Sequence, residues 1–203
     1  MTTALFALAG YLVGSIPTGY WLVRALKGVD IRTVGSGNIG ATNVWRSFGA
    51  RYGIPVMAFD VAKGFVPAFV ATITVSHLAG VLAGGAAMLG HWRPLFMGFK
   101  RGGKVVATCG GAFLGVAPLV GGLGAAVWIL VFAVFRYPSV ASIVSAVSLP
   151  LIAVGLGEPW PVIAFAGIAA LAVVVLHRPN ISRLRAGTET RFRFRRPAEP
   201  VKS

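Results

Sequence analysis

Three polar segments in an otherwise apolar chain carry the residue types that can do chemistry. The first is Gly35-Ser36-Gly37-Asn38-Ile39-Gly40-Ala41-Thr42-Asn43, flanked by Arg32 and Arg46. Glycines at this density let the backbone turn its N–H groups inward, which makes a nest for an anion. Ser36, Asn38, Thr42 and Asn43 add neutral donors. The segment contains G-x-G-x-x-G, but a dinucleotide fingerprint needs a preceding strand and a following helix in one soluble unit. Here an apolar run precedes it, and Asp60, where the ribose-binding acid would stand, falls inside the next apolar run. The second segment is His91-Trp92-Arg93-Pro94 followed by Gly98 to Lys104, which spells G-x-x-x-x-G-K. Val105 stands where a P-loop has the Ser or Thr that holds magnesium, so the pattern fits a phosphate cradle without metal rather than nucleotide hydrolysis. Lys104 opens an apolar run, where helix N–H groups also face an anion. Lys100 and Arg101 fit a basic loop touching lipid headgroups. The third segment is His177-Arg178-Pro179-Asn180-Ile181-Ser182-Arg183, ending at Gly187-Thr188-Glu189.

Other residues narrow the chemistry. Asp60 and Lys63 lie three apart inside an apolar run, on one helix face. Ionisable residues there tend to pair or to serve function, and a structural ion pair is the first expectation. The chain has 19 Lys and Arg but 5 Asp and Glu. Five acids cannot build a di-carboxylate magnesium site, and no cofactor is implied. The His-x4-Asp pattern of one large acyltransferase class is missing, because Leu82, Phe96 and Ser182 occupy the places after the three histidines. One cysteine, Cys109, excludes an internal disulfide and a Cys-rich metal site. Such basicity can mean nucleic acid, but that needs a water-exposed basic face. The cations here fill short breaks between apolar runs, which suits anionic lipid and phosphorylated substrates.

The elements that position these segments are membrane spans. The chain is 56% hydrophobic and 12% charged, against roughly 25% charged in a soluble domain. Span one runs from about Ala4 to Val23, with no charged start of a cleaved signal peptide before it. Others cover Ile54 to Val75, Leu78 to His91, Val140 to Leu156 and Trp160 to Leu176. Val105 to Phe135 is too long for one crossing and short for two, since a helix needs about 20 apolar residues. Charge decides for two. Seven spans put the loops at Arg24 to Arg51, Arg93 to Lys104 and Arg136 on one side with the tail, whose eight basic residues run from Arg178 to Lys202. The opposite loops, near Ser76-His77, Gly121-Gly122 and Glu158, hold no Lys or Arg. The positive-inside rule then sets the N-terminus out and the C-terminus in, with spans four and five short. The expected fold is an all-α integral membrane protein of seven short transmembrane helices. Residues 1–177 form the membrane domain and 178–203 a basic cytoplasmic tail whose start, 178–189, belongs to the active-site motif. Arg191 to Arg195 is expected to rest on the membrane surface.

Taken together, the loops resemble the bacterial acyl-phosphate–glycerol-3-phosphate acyltransferases of the PlsY type. The matching segments are Gly14-Ser15-Ile16-Pro17, Gly35 to Asn43, Asp60-Val61-Ala62-Lys63-Gly64, Gly90-His91 with Gly102-Gly103-Lys104, Arg136-Tyr137 with Ser139 and Ser142, and His177 to Glu189. They follow in order over nearly the whole chain. The resemblance implies acyl transfer from acyl phosphate to the 1-hydroxyl of glycerol 3-phosphate, giving lysophosphatidate. It assigns Ser36 and Arg46 to motif one, Lys104 to motif two, and His177 and Asn180 to motif three, with these five as the catalytic set. Phosphate contacts are expected from Gly35, Ser36, Gly37, Asn38, Gly40, Thr42, Asn43, Arg46, Gly102, Gly103, Lys104 and Ser142. Asp60, Lys63, His91, Ser139 and Glu189 are supporting, the last as the family's structural glutamate. One departure is plain: the family reads Phe-Lys-Gly-Gly-Lys-Gly, whereas Arg101 is interposed here and Val105 replaces the last glycine.

Acyl phosphate is an activated mixed anhydride, so the implied reaction needs neither ATP, nor metal, nor an enzyme nucleophile. The substrates, with membrane lipid, are the expected partners; nucleic acid and an obligatory protein partner are not expected. The expected location is the plasma (inner) membrane, multi-pass, with the site facing the cytoplasm. The main alternative is a non-enzymatic transporter of an anion or organophosphate. A transporter usually has its site near the midplane within repeated halves; here the motifs are interfacial, on one side and unrepeated.

Overall fold

The computed structural model describes residues 1–194, and among them every regular element is helical. Ten helices follow in order: α1 Thr2–Gly14, α2 Thr18–Lys27, α3 Ala41–Phe48, α4 Ala50–Thr74, α5 His77–Trp92, α6 Val106–Val116, α7 Pro118–Phe135, α8 Pro138–Gly155, α9 Trp160–Leu176 and α10 Arg178–Arg185. Prolines set several of the boundaries. Pro17 separates α1 from α2, and a proline stands in the first turn of α7, α8, α9 and α10. There its missing N–H costs nothing, because the first turn has no intrahelical acceptor to offer.

The run Thr2–Lys27 and the helices α4, α7 and α8 are long and apolar enough to cross a membrane, and α9 with α10 makes a fifth if that pair, bent by 56°, is one span. At 16 and 11 residues, α5 and α6 fall short of that length. The awkward stretch from Val105 to Phe135 does divide, but the break is at Ala117, before Pro118. Gly121 and Gly122, expected in a loop, lie inside α7. Gly121 is needed for packing: a side chain there would strike the backbone of Phe113 and Leu114. Of the two parts of this stretch, both expected to be short, α7 has a full 18 residues and α6 is short.

Small residues let the helices touch backbone to backbone, as they do where lipid removes any hydrophobic drive for association. Gly10 and Gly14 lie against Ala83 and Ala87, so α1 and α5 run in the same direction. Gly64 abuts Thr108, while Gly111 and Gly115 abut Val61 and Phe69, which makes α4 and α6 parallel. Gly80 and Gly84 meet Thr72 and Ala68, so α5 opposes α4. Ser145 Oγ donates to Gly124 O at 2.7 Å and Trp128 Nε1 to Ser142 Oγ at 3.1 Å, which sets α7 against α8. Phe113 stacks on Phe165 at 4.8 Å in the core. Leu119, Ile129, Leu130, Leu151 and Leu171 point outward; so many exposed apolar side chains fit a lipid surround. With these directions the ends of α5, α7 and α9 and the starts of α4, α6 and α8 gather at one end of the bundle. The polar segments are there.

Val105, just before α6, has φ of +61° and is 2% exposed. A β-branched residue in the left-handed region is an outlier, because Cβ crowds the following carbonyl. Glycine is free of that clash, so at this position the usual order of Ala over Gly reverses. Thermal unfolding in detergent should find Val105→Gly more stable than Val105→Ala by about 1 kcal/mol. Val105→Ala melting at the higher temperature would mean that the residue does not hold this conformation.

Candidate active site

The polar end is organised on the Glu189 carboxylate, whose side chain is 5% exposed. Its Oε1 accepts from Ser139 Oγ and from Asn180 Nδ2, each at 2.7 Å. Its Oε2 accepts from Arg183 Nε at 2.7 Å. Asn180 Oδ1 in turn accepts from Lys104 Nζ. Four stretches of chain are therefore tied together: the turn before α6, the start of α8, α10, and the segment after α10. Burial alone would raise the Glu189 carboxyl, but the bonds from Asn180, Ser139 and Arg183, with the charge of Arg183, hold it below its ordinary value.

Lys104 is placed by the glycines before it. Gly102 N donates to Trp92 O at 2.8 Å and Gly103 N to His91 O at 3.0 Å, so the turn folds back on the end of α5. A side chain at Gly102 would strike His91 O, and one at Gly103 would strike the His91 ring. Beneath the ring, Asp60 Oδ1 lies 3.7 Å from His91 Nδ1 and 2.7 Å from Lys63 Nζ, which also donates to Ile16 O at 3.1 Å. The expected Asp60–Lys63 ion pair is present. The glycine N–H groups, expected to face a phosphate, are instead consumed in the turn. Burial, together with Arg183, Arg101 and Arg46 and against Glu189, lowers Lys104 to about 8. It is then a cation at neutral pH that an alkaline medium can discharge.

His177 stands at the joint between α9 and α10 and is buried. Its Nδ1 lies 2.8 Å from Val173 O. In a neutral ring that nitrogen donates, which leaves Nε2 as an acceptor. One turn on, Asn180 spends its amide between Lys104 and Glu189.

The first loop is held by its own side chains. Asn43 Nδ2 donates to Val34 O at 3.0 Å and Asn38 O at 2.9 Å, while Asn43 Oδ1 accepts from Ser36 N at 2.9 Å. Asn38 Oδ1 accepts from Gly40 N at 2.8 Å, and Gly37 N donates to Val34 O at 3.0 Å. Gly35 and Gly37 have φ of +59° and +69°, which is why glycine is needed at both turns. Asn43, Gly37 and Gly40 thus spend their donors on the loop and do not offer them outward as expected, whereas Asn38 takes part only through its oxygens, and its N–H groups make no hydrogen bond among the described residues. The Ser36 and Thr42 hydroxyls make no hydrogen bond among the described residues. Arg46, one turn beyond Asn43, donates to Thr190 O at 2.8 Å, and its buried Nε has no hydrogen-bond partner among the described residues. Burial, with Arg183 and against Glu189, draws Arg46 below its ordinary value, yet guanidinium remains charged in proteins.

Two expectations change. Ser142, expected on phosphate, donates to Pro138 O at 2.7 Å and accepts from Trp128. It fastens α8 to α7, and Ser139 is the serine that joins the network. The tail segment does not lie apart on a surface as far as Phe192. Phe192 is 4% exposed, meets Trp45 and Phe132 edge-on at 5.7 and 5.4 Å, and donates its N–H to Arg136 O at 2.7 Å. An aromatic partner on either side outweighs the pull of lipid. Arg195, Arg196 and Lys202 lie outside the described residues. Among those described, no group of three or more His, Cys, Asp or Glu side chains is placed to hold a metal ion.

Comparison with known proteins gives the family. Residues 4–187 match the family described as glycerol-3-phosphate acyltransferase. A glycerol-3-phosphate acyltransferase of Geobacter sulfurreducens is 48% identical over 191 residues, covering 93% of this chain and 97% of that protein. One from Desulforudis audaxviator is 45% identical over 186 residues, covering 92% and 93%. Among solved structures, the crystal structure of PlsY, an integral membrane glycerol 3-phosphate acyltransferase, matches in its glycerol 3-phosphate form. The TM-score is 0.90 at 40% identity, over 95% of this chain and 96% of that one. Its lysophosphatidic acid form gives 0.88 at 39% identity, over 96% and 97%. This chain belongs to the glycerol-3-phosphate acyltransferase family, as an integral membrane protein.

Proposed function

We propose that this chain transfers a fatty acyl group from acyl phosphate to the 1-hydroxyl of sn-glycerol 3-phosphate, giving lysophosphatidate and phosphate. The observation that carries the reading is the Lys104–Asn180–Glu189 network, with Arg46 and Arg183 close enough to bear on Lys104. Two phosphorylated substrates need fixed cations at one place, and a mixed anhydride needs little else. The 1-hydroxyl oxygen attacks the acyl carbon, the bond from that carbon to the phosphate oxygen breaks, and the hydroxyl proton passes to the departing phosphate. Lys104 and Arg46 hold the phosphates side by side, with Ser36 and Thr42 as neutral donors. Acceleration then comes from proximity and from charge placed in advance. His177 and Asn180 position the acceptor. Asp60, Lys63 and His91 support the Lys104 turn from below, and Ser139 and Glu189 support it from the side. No step uses a metal or cofactor, and no nucleic acid or protein partner enters. Transport finds less support, because the ligand-facing groups collect at one end of the bundle.

The same reading takes the chain across the inner membrane seven times, with the polar end in the cytoplasm. The helix directions, reversing from α4 to α5 and from α7 to α8, support it, as does the gathering of basic loops at one end. In a Cys109→Ala background, an impermeant thiol reagent added to intact cells should label His77→Cys and spare Lys100→Cys. The opposite pattern would invert the topology.

The reaction is tested on purified protein with acyl phosphate, glycerol 3-phosphate and a chelator. Lysophosphatidate should form, and kcat/KM should fall as pH rises through about 8, because Lys104 is active protonated and loses its proton there. Lys104→Arg, charged throughout that range, should lack this limb. His177→Gln keeps a hydrogen-bonding group and removes the base, so kcat should largely persist with a raised KM for glycerol 3-phosphate. A preference for acyl-CoA, or activity lost to the chelator, would sink the donor and metal-free reading. A collapse of kcat in His177→Gln at unchanged KM would make His177 the base.

A further inference from the structure

Beyond Glu189 the chain stays on the bundle and crosses from the site to the end of α7. Arg191 Nε donates to Phe135 O at 3.2 Å, and Phe192 N donates to Arg136 O at 2.7 Å. Phe135 ends α7 and Arg136 caps it; carbonyls at such an end have no donor within their own helix. The segment supplies those donors and is anchored by them. Laid there, Phe192 is 4% exposed between Trp45 of α3 and Phe132 of α7. The same segment touches the next residue of α3 twice. The Arg46 guanidinium carbon lies over the Phe192 ring, 5.4 Å from its centroid, and Arg46 Nη2 donates to Thr190 O at 2.8 Å.

Arg46 needs such restraint. It stands in the last turn of an eight-residue helix, on a side chain with many rotamers to lose before it can meet a phosphate at a fixed place. The charges of Lys104 and Arg183 act on it as well, and both push it away from the site. A carboxylate partner would hold it but would also repel a phosphate. A ring face and a carbonyl attract the guanidinium without cancelling its charge, so the charge stays available to an anion. We propose that Phe192 and the Thr190 carbonyl are positioning groups for Arg46, holding its guanidinium where a substrate phosphate arrives. The inference rests on the phosphate-holding role given to Arg46 above.

The test measures binding of glycerol 3-phosphate and of a non-hydrolysable acyl phosphonate to purified full-length protein by calorimetry. Arg46→Ala identifies which of the two ligands Arg46 holds. For that ligand Phe192→Leu, which stays apolar but loses the ring face, should weaken binding by about five- to ten-fold. In turnover the loss should fall on the KM of that substrate rather than on kcat. In an Arg46→Ala background the same change should cost no more than about two-fold, because a group that acts through Arg46 has nothing left to position. Phe194→Leu, at a ring 61% exposed that meets Phe132 and Phe192, should also stay within about two-fold. Equal losses in the two backgrounds, or an Arg46→Ala protein that binds both ligands normally, overturns the proposal. The unaltered protein gives a second readout even if the variants fail to fold. Because coupling is reciprocal, a ligand held by Arg46 should slow hydrogen exchange at the Phe192 amide. Exchange there unchanged by saturating amounts of either ligand overturns the proposal too. If the protein binds glycerol 3-phosphate but turns over no acyl phosphate, the donor reading fails, while binding and exchange still decide the role of Phe192.

Discussion

At the polar end of the bundle the Glu189 carboxylate accepts from Ser139, Asn180 and Arg183, and through Asn180 it reaches Lys104. Everything else at that end depends on this arrangement. The Arg183 side chain is 42% exposed, and its pairing contributes little by itself. The bonds on the sheltered side matter more, because a buried acceptor left without donors costs about 1–3 kcal/mol, and more when charged. A bundle whose helices pack on small residues has few other polar ties between α6, α8 and α10.

The surplus of cations around this one acid has a consequence for chemistry. Lys104, Arg46 and Arg183 repel one another, and Glu189 offsets only part of that. A phosphate arriving among them relieves both the repulsion and the desolvation, so the site is arranged for anions before any anion is bound. This is electrostatic preorganisation, in which donors are fixed where charge will sit. It also suits the proposed acyl-phosphate donor: in that reaction the reactivity resides in the substrate, and the protein supplies geometry and charge.

Much of the fold was legible because its signals are local. The length of Val105 to Phe135 and the charge of the flanking loops marked its division, and apolar runs separated by basic loops marked the membrane class. The break was less legible in detail, since whether Gly121 serves a turn or a helix contact depends on Phe113 and Leu114 lying beside it. The polar segments were legible as a set, and the structure gathers Lys104, Asn180, Ser139 and Glu189 into one network. What each group does there was not. The glycine N–H groups read as a phosphate nest are used to fold Gly102 and Gly103 onto α5 and to close the Asn38 turn. Ser139 and Ser142 are alike in sequence, but Ser142 gives its proton to Pro138 O and accepts from Trp128, while Ser139 is left to donate to Glu189. Phe192 depends on Trp45 and Phe132 converging from distant segments, which no local pattern contains. Val105 shows the limit from the other side: the departure from glycine was visible, but its left-handed backbone was not.

The central claim is that Glu189 positions and charges the Lys104–Asn180 pair rather than reacting itself. The direct test is the pH dependence of kcat/KM in Glu189→Gln, measured on folded protein beside the unaltered enzyme. The carboxylate raises the Lys104 ammonium against the effects of burial and the neighbouring arginines. Removing its charge while keeping its shape should therefore move the alkaline fall in activity from about 8 to lower pH, with activity remaining below it. An unmoved limb at full activity would show that Glu189 does not act through Lys104, and loss of activity at every pH in a folded protein would place Glu189 in the reaction itself.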